Sequence, residues 1–257
     1  MPIASTRCGR PLILLTLSLL AGGCAKQPPP APAAPPPPPP LTEWPKGATA
    51  PLKITDELTL AIPLEYERTA IEPGDPHPRA FLTQQSDRAE ARFDFFLPAF
   101  SGYTLENYRN ESDPDKVEVA YLHAGNPHEA DPDAPGEYPP NMLKRALAES
   151  LNPNDHQDRY GLRCYRGREP SARLTCYGRR NAAAEYIMLT TLQAPYPADS
   201  FPQLQARYFS RSYGGVRIAW RTHVKNLPHW REIDAQIWGF IDAWKVAPPA
   251  DPAGRKP

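Results

Sequence analysis

The sequence has no excess charge of either sign and no long apolar run. Its 29 lysine and arginine residues balance its 29 aspartate and glutamate residues. Proteins that bind nucleic acid usually carry a clear basic excess, so this balance argues against a nucleic-acid partner. The apolar stretch at residues 12–20 is shorter than the roughly 20 residues that a membrane-spanning helix needs. We therefore expect neither a polyanion-binding protein nor a helix that spans the membrane.

Recognisable catalytic motifs are also missing. The sequence contains no Gly-x-Ser-x-Gly, no His-Glu-x-x-His, no phosphate-binding glycine loop and no dinucleotide fingerprint. No segment repeats with a solenoid or propeller period. We assign no catalytic residue, no metal ligand and no cofactor, and we expect a protein that is not an enzyme. A hydrolase with an unfamiliar site stays open as an alternative.

The N-terminus resembles the signal peptide of a bacterial lipoprotein. Arg7 and Arg10 precede the apolar stretch, and Ala21-Gly-Gly-Cys24 follows it. A short basic region, an apolar core of about ten residues and a small-residue processing site are typical of export signals. The resemblance implies that residues 1–23 are removed and that Cys24 is acylated as the mature N-terminus.

Two alternatives to lipidation of Cys24 remain open. Ala21 stands where leucine is more usual in this motif, so an ordinary cleaved signal peptide is one alternative. An anchor at Cys8 is the other, although Cys8 has no apolar run before it. Ala25 is not the aspartate that retains lipoproteins in the inner membrane. The resemblance therefore implies the periplasmic side of the outer membrane.

Proline is concentrated behind the predicted anchor. Ten of the 35 prolines fall between Pro28 and Pro40. Such a run favours polyproline II, which at about 3.1 Å per residue makes a spacer of roughly 40 Å. A ligand for a proline-binding domain is the alternative. We predict a lipidated spacer over residues 24–41, one domain over residues 42–247 and a disordered tail over residues 248–257.

Apolar and polar residues alternate in several segments of the predicted domain, as in half-buried β-strands. Residues 186–192 form a more continuous apolar run that is typical of a central strand. The other predicted strands lie at residues 58–62, 92–97, 117–121 and 216–221.

Two segments have the period of a helix. Leu143, Leu147 and Leu151 make one apolar stripe, with Pro139-Pro140 before it and Asn152-Pro153 after it. Residues 227–246 make a stronger one, with Asn226 as its expected cap and Pro248-Pro249 as its end. We predict an α+β domain with a mostly antiparallel sheet, a disulfide-linked hairpin and an amphipathic C-terminal helix.

Two of the four cysteines remain once Cys8 leaves with the signal peptide and Cys24 carries lipid. An oxidising compartment favours pairing of Cys164 with Cys176. The residues around them read as two strands of a hairpin that places Arg166 beside Leu174 and Leu162 beside Gly178. A catalytic thiol would need one unpaired cysteine near a histidine, so we predict a structural disulfide.

The loops between the predicted strands combine carboxylates with tyrosines. Tyrosine offers rigid contact area, and carboxylates favour electrostatic steering. These loops are our predicted partner-binding surface, and solvated loops that serve only solubility are the alternative. The candidate residues are Tyr103, Tyr108, Glu111, Asp113, Asp115, Glu129, Asp131, Asp133, Glu137 and Tyr138.

The same region raises the question of a metal site. His123, His128, Glu129, Asp131 and Asp133 are residue types that bind calcium or zinc. Their spacing matches no established metal-binding loop, and the intervening prolines restrict how they converge. We therefore favour a solvated acidic loop. His223 and His229 flank the last predicted helix and are expected to be surface or capping groups.

Two segments carry a further resemblance. Tyr160-Gly-Leu-Arg-Cys with Cys176-Tyr-Gly-Arg-Arg, and residues 208–222 leading into residues 230–238, resemble proteobacterial periplasmic lipoproteins. Those proteins are assigned as immunity proteins of contact-dependent (type VI or type IV) secretion-system effectors. The resemblance implies an inhibitor without enzymatic activity that binds a secreted toxin, such as a phospholipase or a wall hydrolase. It covers residues 160–247 and transfers no binding residue.

A lipoprotein for envelope assembly or ligand binding, with no toxin partner, is the alternative from another class. The neighbouring reading frame discriminates between the two. A hydrolase-like gene favours immunity, whereas a transporter or assembly operon favours the alternative.

Overall fold

A computed structural model describes residues 46–67, 89–108, 113–126, 128, 138–168, 173–182, 185–192 and 203–247. All of them belong to one compact unit that spans Pro38–Pro257. Within these ranges no helix is long and apolar enough to cross a membrane. The elements are β1 (Leu52–Lys53), β2 (Thr59–Leu60), β3 (Glu90–Phe96), β4 (Lys116–Ala124), α1 (Pro139–Glu149), β5 (Leu151–Arg159), β6 (Leu162–Gly167), β7 (Leu174–Arg179), β8 (Tyr186–Leu192), β9 (Gln203–Ser210), β10 (Val216–His223) and α2 (Trp230–Trp244).

The main sheet has eight strands in the order β3-β4-β10-β9-β8-β7-β6-β5. Every neighbouring pair is antiparallel. Strands β5 to β10 follow one another as a meander, and β10 pairs on its other side with β4. The predicted α+β class with an antiparallel sheet is therefore confirmed, and β3 and β5 are the edge strands.

The inner face of the sheet packs against α2. Each successive turn of α2 buries an apolar side chain against the sheet: Trp230, Ile233, Ile237, Ile241 and Trp244. The predicted helical period is thus the period of the buried stripe. The strands contribute the other half of this core, which includes Phe93, Phe95, Val117, Val119, Ile187, Leu189, Leu204, Ile218 and Trp220.

The short strands β1 and β2 close the end of this core. Leu58, Leu60 and Ile62 are buried among the core residues. The amide of Ala61 donates to the Trp244 carbonyl at 3.0 Å, and the amide of Val246 donates to the Thr59 carbonyl at 2.9 Å. The alternating pattern at residues 58–62 is therefore real, although only Thr59–Leu60 is hydrogen-bonded as a strand.

The predicted disulfide joins Cys164 in β6 to Cys176 in β7. The two cysteines are directly opposite each other, and Arg166 is opposite Leu174, as predicted. A Cβ added to Gly178 would lie 2.7 Å from Leu162 Cδ2, so glycine allows this close approach. Both sulfurs lie in the main core, and the bond therefore fastens the hairpin beneath α2.

The first helix ends earlier than its leucine stripe predicted. Leu151 is not helical but begins β5, where it is buried and pairs with Gly167. The Arg168 guanidinium donates to the carbonyls of Leu147 at 2.8 Å and Leu151 at 2.9 Å. The bond to Leu147 satisfies a carbonyl that the end of the helix leaves exposed, and the bond to Leu151 holds the start of β5 beside it.

The expected cap at Asn226 is also wrong. A 3-10 helix at Val224–His229 precedes α2, and its cap is His223, which accepts from the Lys225 amide. The buried Asn226 amide instead donates to the Pro114 carbonyl and to Thr222 Oγ1, both at 2.8 Å. It therefore ties the start of β4 to the end of β10. Helix α2 ends at Trp244, because Lys245 is extended, and so stops before the expected end at Pro248-Pro249, which lies outside the described residues.

Helix α1 lies on the outer face of the sheet, opposite α2. It contacts β5, β8 and β9, and none of its residues belongs to the main core. Thr175 and Met188 point away from the main core yet are buried, as expected beneath a helix. Among the described residues, several outward side chains of β4, β10 and β9 beside α1 are half-exposed.

Candidate functional site

The predicted contact residues near β3 and β4 are partly internal. Tyr103 is only 5% exposed, and its hydroxyl donates to the buried carboxylate of Asp94. Tyr108 packs against Tyr103 and Phe96. Both tyrosines therefore support the loop after β3 from within.

A buried ion pair adjoins this tyrosine cluster. Lys116 Nζ lies 2.9 Å from Asp94 Oδ2 and 5.6 Å from the centre of the Tyr103 ring. Burial raises the pKa of Asp94, while Lys116 and the Tyr103 hydroxyl oppose that rise. The arrangement fixes the ends of β3 and β4 and leaves little of Tyr103 for a partner.

Asp113 and Asp115 lie at the start of β4. Asp113 Oδ1 accepts from the Asp115 amide at 2.9 Å, and Asp115 Oδ1 lies 2.6 Å from Lys225 Nζ. Both side chains are at the surface. They are the acidic candidates that the structure describes, and they lie at the end of the sheet where β10 also ends.

The other predicted residues do not join Asp113 and Asp115. The chain leaves β4 at Ala124, at the opposite end of the nine-residue strand, so the segment that follows departs from the other end of the sheet. Tyr138 precedes α1 and is close enough to Tyr177 to raise its pKa. The remaining candidates lie outside the described residues: Glu111, Glu129, Asp131, Asp133 and Glu137.

The histidines do not form a metal centre in the described ranges, where no group of three metal-binding side chains assembles. His123 lies on β4, and its Nδ1 lies 2.7 Å from the Ala124 carbonyl oxygen. His229 Nδ1 lies 3.1 Å from Glu232 Oε2 at the start of α2.

A group of tyrosines lies on the outer face beside α1. The rings of Tyr177 and Tyr186 are stacked with centres 5.1 Å apart, and His156 packs on Tyr165 at 5.5 Å. Burial, followed by the neighbouring tyrosines, raises the pKa of Tyr177. These rings are partly exposed and give the outer face an aromatic border.

The centre of the outer face is formed by arginines. Arg217 and Arg221 lie on β10, and Arg207 lies opposite Ala219 between them. We call these three residues, with Ala219 at their centre, the arginine face. Arg221 donates to both carboxylate oxygens of Glu118, at 2.9 and 2.6 Å, and its side chain is still 41% exposed.

Part of the arginine face could be predicted from the sequence. Arg217 and Arg221 are the polar residues of the predicted strand at residues 216–221, so their shared outer face follows from strand alternation. Arg207 was missed because β9 was not predicted. Only the pairing of β9 with β10 brings it between the other two.

A second ionic cluster is buried beside α2. Arg180 donates to Asp234 Oδ2 at 3.0 Å and to Glu185, and its guanidinium lies 4.9 and 4.8 Å from the ring centres of Tyr208 and Trp238. Ser210 Oγ and the Arg211 amide also donate to Glu185, both at 2.9 Å.

These contacts shift the pKa values of all three charged groups. Burial would lower the pKa of Arg180, but Tyr208, Asp234 and Glu185 raise it. Burial raises the pKa of Asp234 despite Arg180. Burial would also raise the pKa of Glu185, yet its hydrogen bonds from Arg180, Arg211 and Ser210 lower it. Side chains this enclosed are suited to fixing α2 on the sheet, and we assign the cluster a structural role.

One surface hollow of about 380 Å³ lies between β2 and the end of α2. Its lining is largely charged, with Asp56, Glu57 and Asp242 facing Lys245. Sites for small organic ligands are mostly apolar with a few convergent polar groups. The hollow does not have that character.

No family model and no curated protein matches the sequence. Among solved structures, the fold is similar to that of Smlt3025, an immunity protein of the Stenotrophomonas maltophilia type IV secretion system. The TM-score is 0.49 and the sequence identity is 11%, and the match covers 79% of this chain and 95% of that chain. A likeness at this level identifies no function, which must be inferred from the chain's own residues.

Proposed function

We propose that this chain is a lipid-anchored periplasmic immunity protein that binds and inhibits a secreted toxin. The observation that carries the proposal is the half-exposed outer face of β4, β10 and β9. These strands lie in the interior of the sheet, so their backbone is held on both sides. Their outward side chains therefore form a rigid surface, and rigid surfaces lose little entropy on binding.

Several features support a preformed binding domain. The disulfide fastens β6 to β7, and α2 buries a continuous apolar stripe on the inner face. The half-exposed side chains of the outer face include Arg207, Arg217, Arg221 and Tyr121. Arginine and tyrosine are both enriched where protein interfaces derive most of their binding energy. An inhibitor needs such a surface and no chemistry of its own.

The N-terminal sequence supports the proposed location. The small-residue site before Cys24 and the proline run behind it fit an acylated anchor with a stiff spacer. With Ala25 after the cysteine, we propose the periplasmic side of the outer membrane. A tethered domain there is positioned to meet a toxin that enters the periplasm.

The toxin class is a further part of the proposal. A phospholipase or a wall hydrolase would find its substrate in this compartment, so the inhibitor would protect membrane or wall. The loop carboxylates Glu111, Asp113 and Asp115 remain proposed contacts. Asp113 and Asp115 lie at the surface, and Glu111 lies outside the described residues. The arginine face is the larger candidate surface.

The test is to express the product of the neighbouring reading frame in the periplasm, with and without this protein. We expect the product to kill cells and the protein to restore survival. Killing that is unchanged while the folded lipoprotein is present would contradict the proposal.

The Cys24→Ser variant separates anchoring from inhibition in the same experiment. It should lose incorporation of a fatty-acid probe while the domain stays folded. Protection that falls with Cys24→Ser but returns when the variant is overproduced would show that the anchor acts by concentrating the inhibitor. Equal probe incorporation in both proteins would exclude Cys24 as the acylated residue.

A further inference from the structure

The surface hollow between β2 and the end of α2 carries more negative than positive charge. Its wall presents Asp56, Glu57 and Asp242 against Lys245. Asp56 is paired with Lys53, whose Nζ lies 2.6 Å from its Oδ1. Neither Glu57 nor Asp242 forms an ion pair with a cation in the described part of the chain. The carboxylates of these two residues therefore face one ammonium group.

The end of α2 adds to the negative field in the hollow. The helix ends at Trp244, so Asp242 lies in its last turn and Lys245 directly follows it. The C-terminal end of a helix carries a partial negative charge of about half an elementary charge, which favours a nearby cation. The Lys245 ammonium group lies 4.4 Å from the centre of the Tyr213 ring, so this ring holds it at one side of the hollow.

Tyr213 also fixes one of the two carboxylates. Its hydroxyl donates to Asp242, and its carbonyl accepts from the Thr55 hydroxyl at 2.6 Å. The bond to Asp242 raises the pKa of Tyr213 to about 12, so the phenol stays protonated and keeps donating at neutral pH. The Glu57 carboxylate adjoins the same turn, since a Cβ added to Gly214 would lie 3.7 Å from Glu57 Cδ. Both carboxylates are therefore placed beside the turn that joins β9 to β10.

A buried hydroxyl lines the same hollow. Thr59 is only 3% exposed, and it faces away from the core because its neighbours Leu58 and Leu60 occupy core positions. Its hydroxyl forms no hydrogen bond with the residues that the structure describes. Buried polar groups are usually hydrogen-bonded. An unpartnered hydroxyl in the wall of a hollow therefore indicates a place for a polar group from outside the domain.

The size and chemistry of the hollow suit a single basic side chain. Its volume of about 380 Å³ is near the lower end of the roughly 300–1,000 Å³ that is typical of ligand pockets. Its carboxylates disfavour an apolar or an anionic group. A guanidinium group offers five N–H donors and no acceptor, which matches a wall of carboxylate and hydroxyl oxygens.

We propose that the hollow receives an arginine side chain of the toxin, an inference that rests on the proposed function. The guanidinium group donates to the carboxylates of Glu57 and Asp242 and to the hydroxyl oxygen of Thr59. Lys245 stays over the Tyr213 ring and limits the hollow to one added cation. The hollow thus adds one specific contact to the binding surface and selects a toxin with an exposed arginine.

The experiment measures the affinity of the full-length chain for the purified product of the neighbouring reading frame. All proteins carry Cys24→Ser, which removes the predicted acyl anchor without changing any described residue. The test variant is Glu57→Gln/Asp242→Asn, which removes two charges and keeps the shape of both side chains. The matched control, Glu149→Gln/Asp155→Asn, makes the same chemical changes at exposed positions in α1 and β5. Circular dichroism checks that each variant is folded.

We expect the test variant to bind about tenfold or more weakly than the parent, because the arginine would enter the hollow without its two carboxylates. The control variant should bind like the parent protein. Thr59→Val removes the hydroxyl and keeps the branched shape, and it should weaken binding about two- to tenfold. Added salt should weaken the parent more than the test variant, because salt screens ion pairs.

Each other outcome overturns a definite part. If the parent and the test variant bind alike, the hollow does not contact the toxin and the proposed function stands. If the test and control variants are weakened equally, the effect comes from net charge and the inference fails. If the parent protein does not bind, the proposed function and this inference both fail.

A chain shortened after Ala247 tests a second source of the same chemical group, because the deleted residues include Arg255. We expect the shortened chain to bind the toxin like the parent. The contrary result has two parts: the deletion lowers the free energy of unfolding of the parent but not of the test variant, and the test variant binds the toxin normally. That result would assign the hollow to the chain's own C-terminal residues and overturn the proposal.

Discussion

Among single residues, Glu67 has an unusual environment. It follows the 3-10 helix at Leu64–Tyr66, and its Oε2 atom is buried with no hydrogen-bond partner among the described residues. Burial raises the pKa of Glu67 from 4.5 to about 7. A carboxyl group in this position is easier to bury when protonated, so it makes the stability of the fold depend on pH.

We predict that the wild-type protein loses stability as pH rises from about 4.5 to about 7 and that Glu67→Gln removes this part of the dependence. In that window the folded protein keeps a proton that the unfolded chain has released, so rising pH favours unfolding. The stabilising effect of the raised pKa is fully present below about pH 4.5.

The measurement is the free energy of unfolding in urea across this pH range for both proteins. The difference between the two curves should change within the window and be flat above about pH 7. Parallel curves across the window would contradict the shifted pKa.

At the scale of elements, Arg180 joins the turn between β7 and β8 to α2. Its side chain is 7% exposed, and its two carboxylate partners are 14% and 6% exposed. Removing the cation would leave Glu185 and Asp234 buried without it. Breaking a buried ion pair from one side usually costs about 3–5 kcal/mol because a charge stays behind uncompensated.

We therefore predict that Arg180→Met lowers the free energy of unfolding by about 3–5 kcal/mol. Asp234→Asn added to Arg180→Met should restore part of the loss, since it removes one stranded charge. The matched control is Arg163→Met, which breaks a pair with Asp158 whose side chains are 53% and 68% exposed. Chemical denaturation should detect no change in that control, and equal losses in both proteins would contradict the account.

Some elements could be predicted from the sequence and others could not. Helix α2 and strands β3, β4 and β10 were predicted because each buries one face, and burial imposes a period on the residues. Strand β8 was predicted from its more continuous apolar run, which is typical of a central strand. Strand β5 was missed because its sequence Leu-Asn-Pro-Asn-Asp-His-Gln-Asp-Arg is polar and mostly exposed at the sheet edge. An edge strand with so little burial has no apolar period to recognise.

The candidate sites were harder to predict because they depend on pairing between distant strands. Arg180 and Asp234 are 54 residues apart, and Glu118 and Arg221 are 103 residues apart. No local pattern announces such contacts. The acidic loops were grouped by composition, whereas β4 carries the chain from one end of the sheet to the other between them. Composition therefore identified residue types suited to binding, but not which of them share a surface.

For the whole molecule, we propose that the anchor, the spacer and the folded domain have separate roles. The acylated Cys24 would fix the chain to the membrane, the proline run would hold the domain away from it, and the stapled sheet would present a preformed surface. Rigidity matters because a surface that is ordered before contact loses less entropy on binding. Inhibition by occlusion then depends on one protein covering one toxin, and this requirement separates an inhibitor from an enzyme.

The most direct measurement is a titration of the catalytic activity of the toxin from the neighbouring reading frame with this protein. We predict that activity falls in proportion to the protein added, reaches its minimum near about one equivalent, and returns when the complex is dissociated with the toxin chemically intact. Activity that does not fall would contradict the account. So would activity lost at far less than one equivalent with the toxin cleaved or modified, since that result would show an enzyme acting on the toxin.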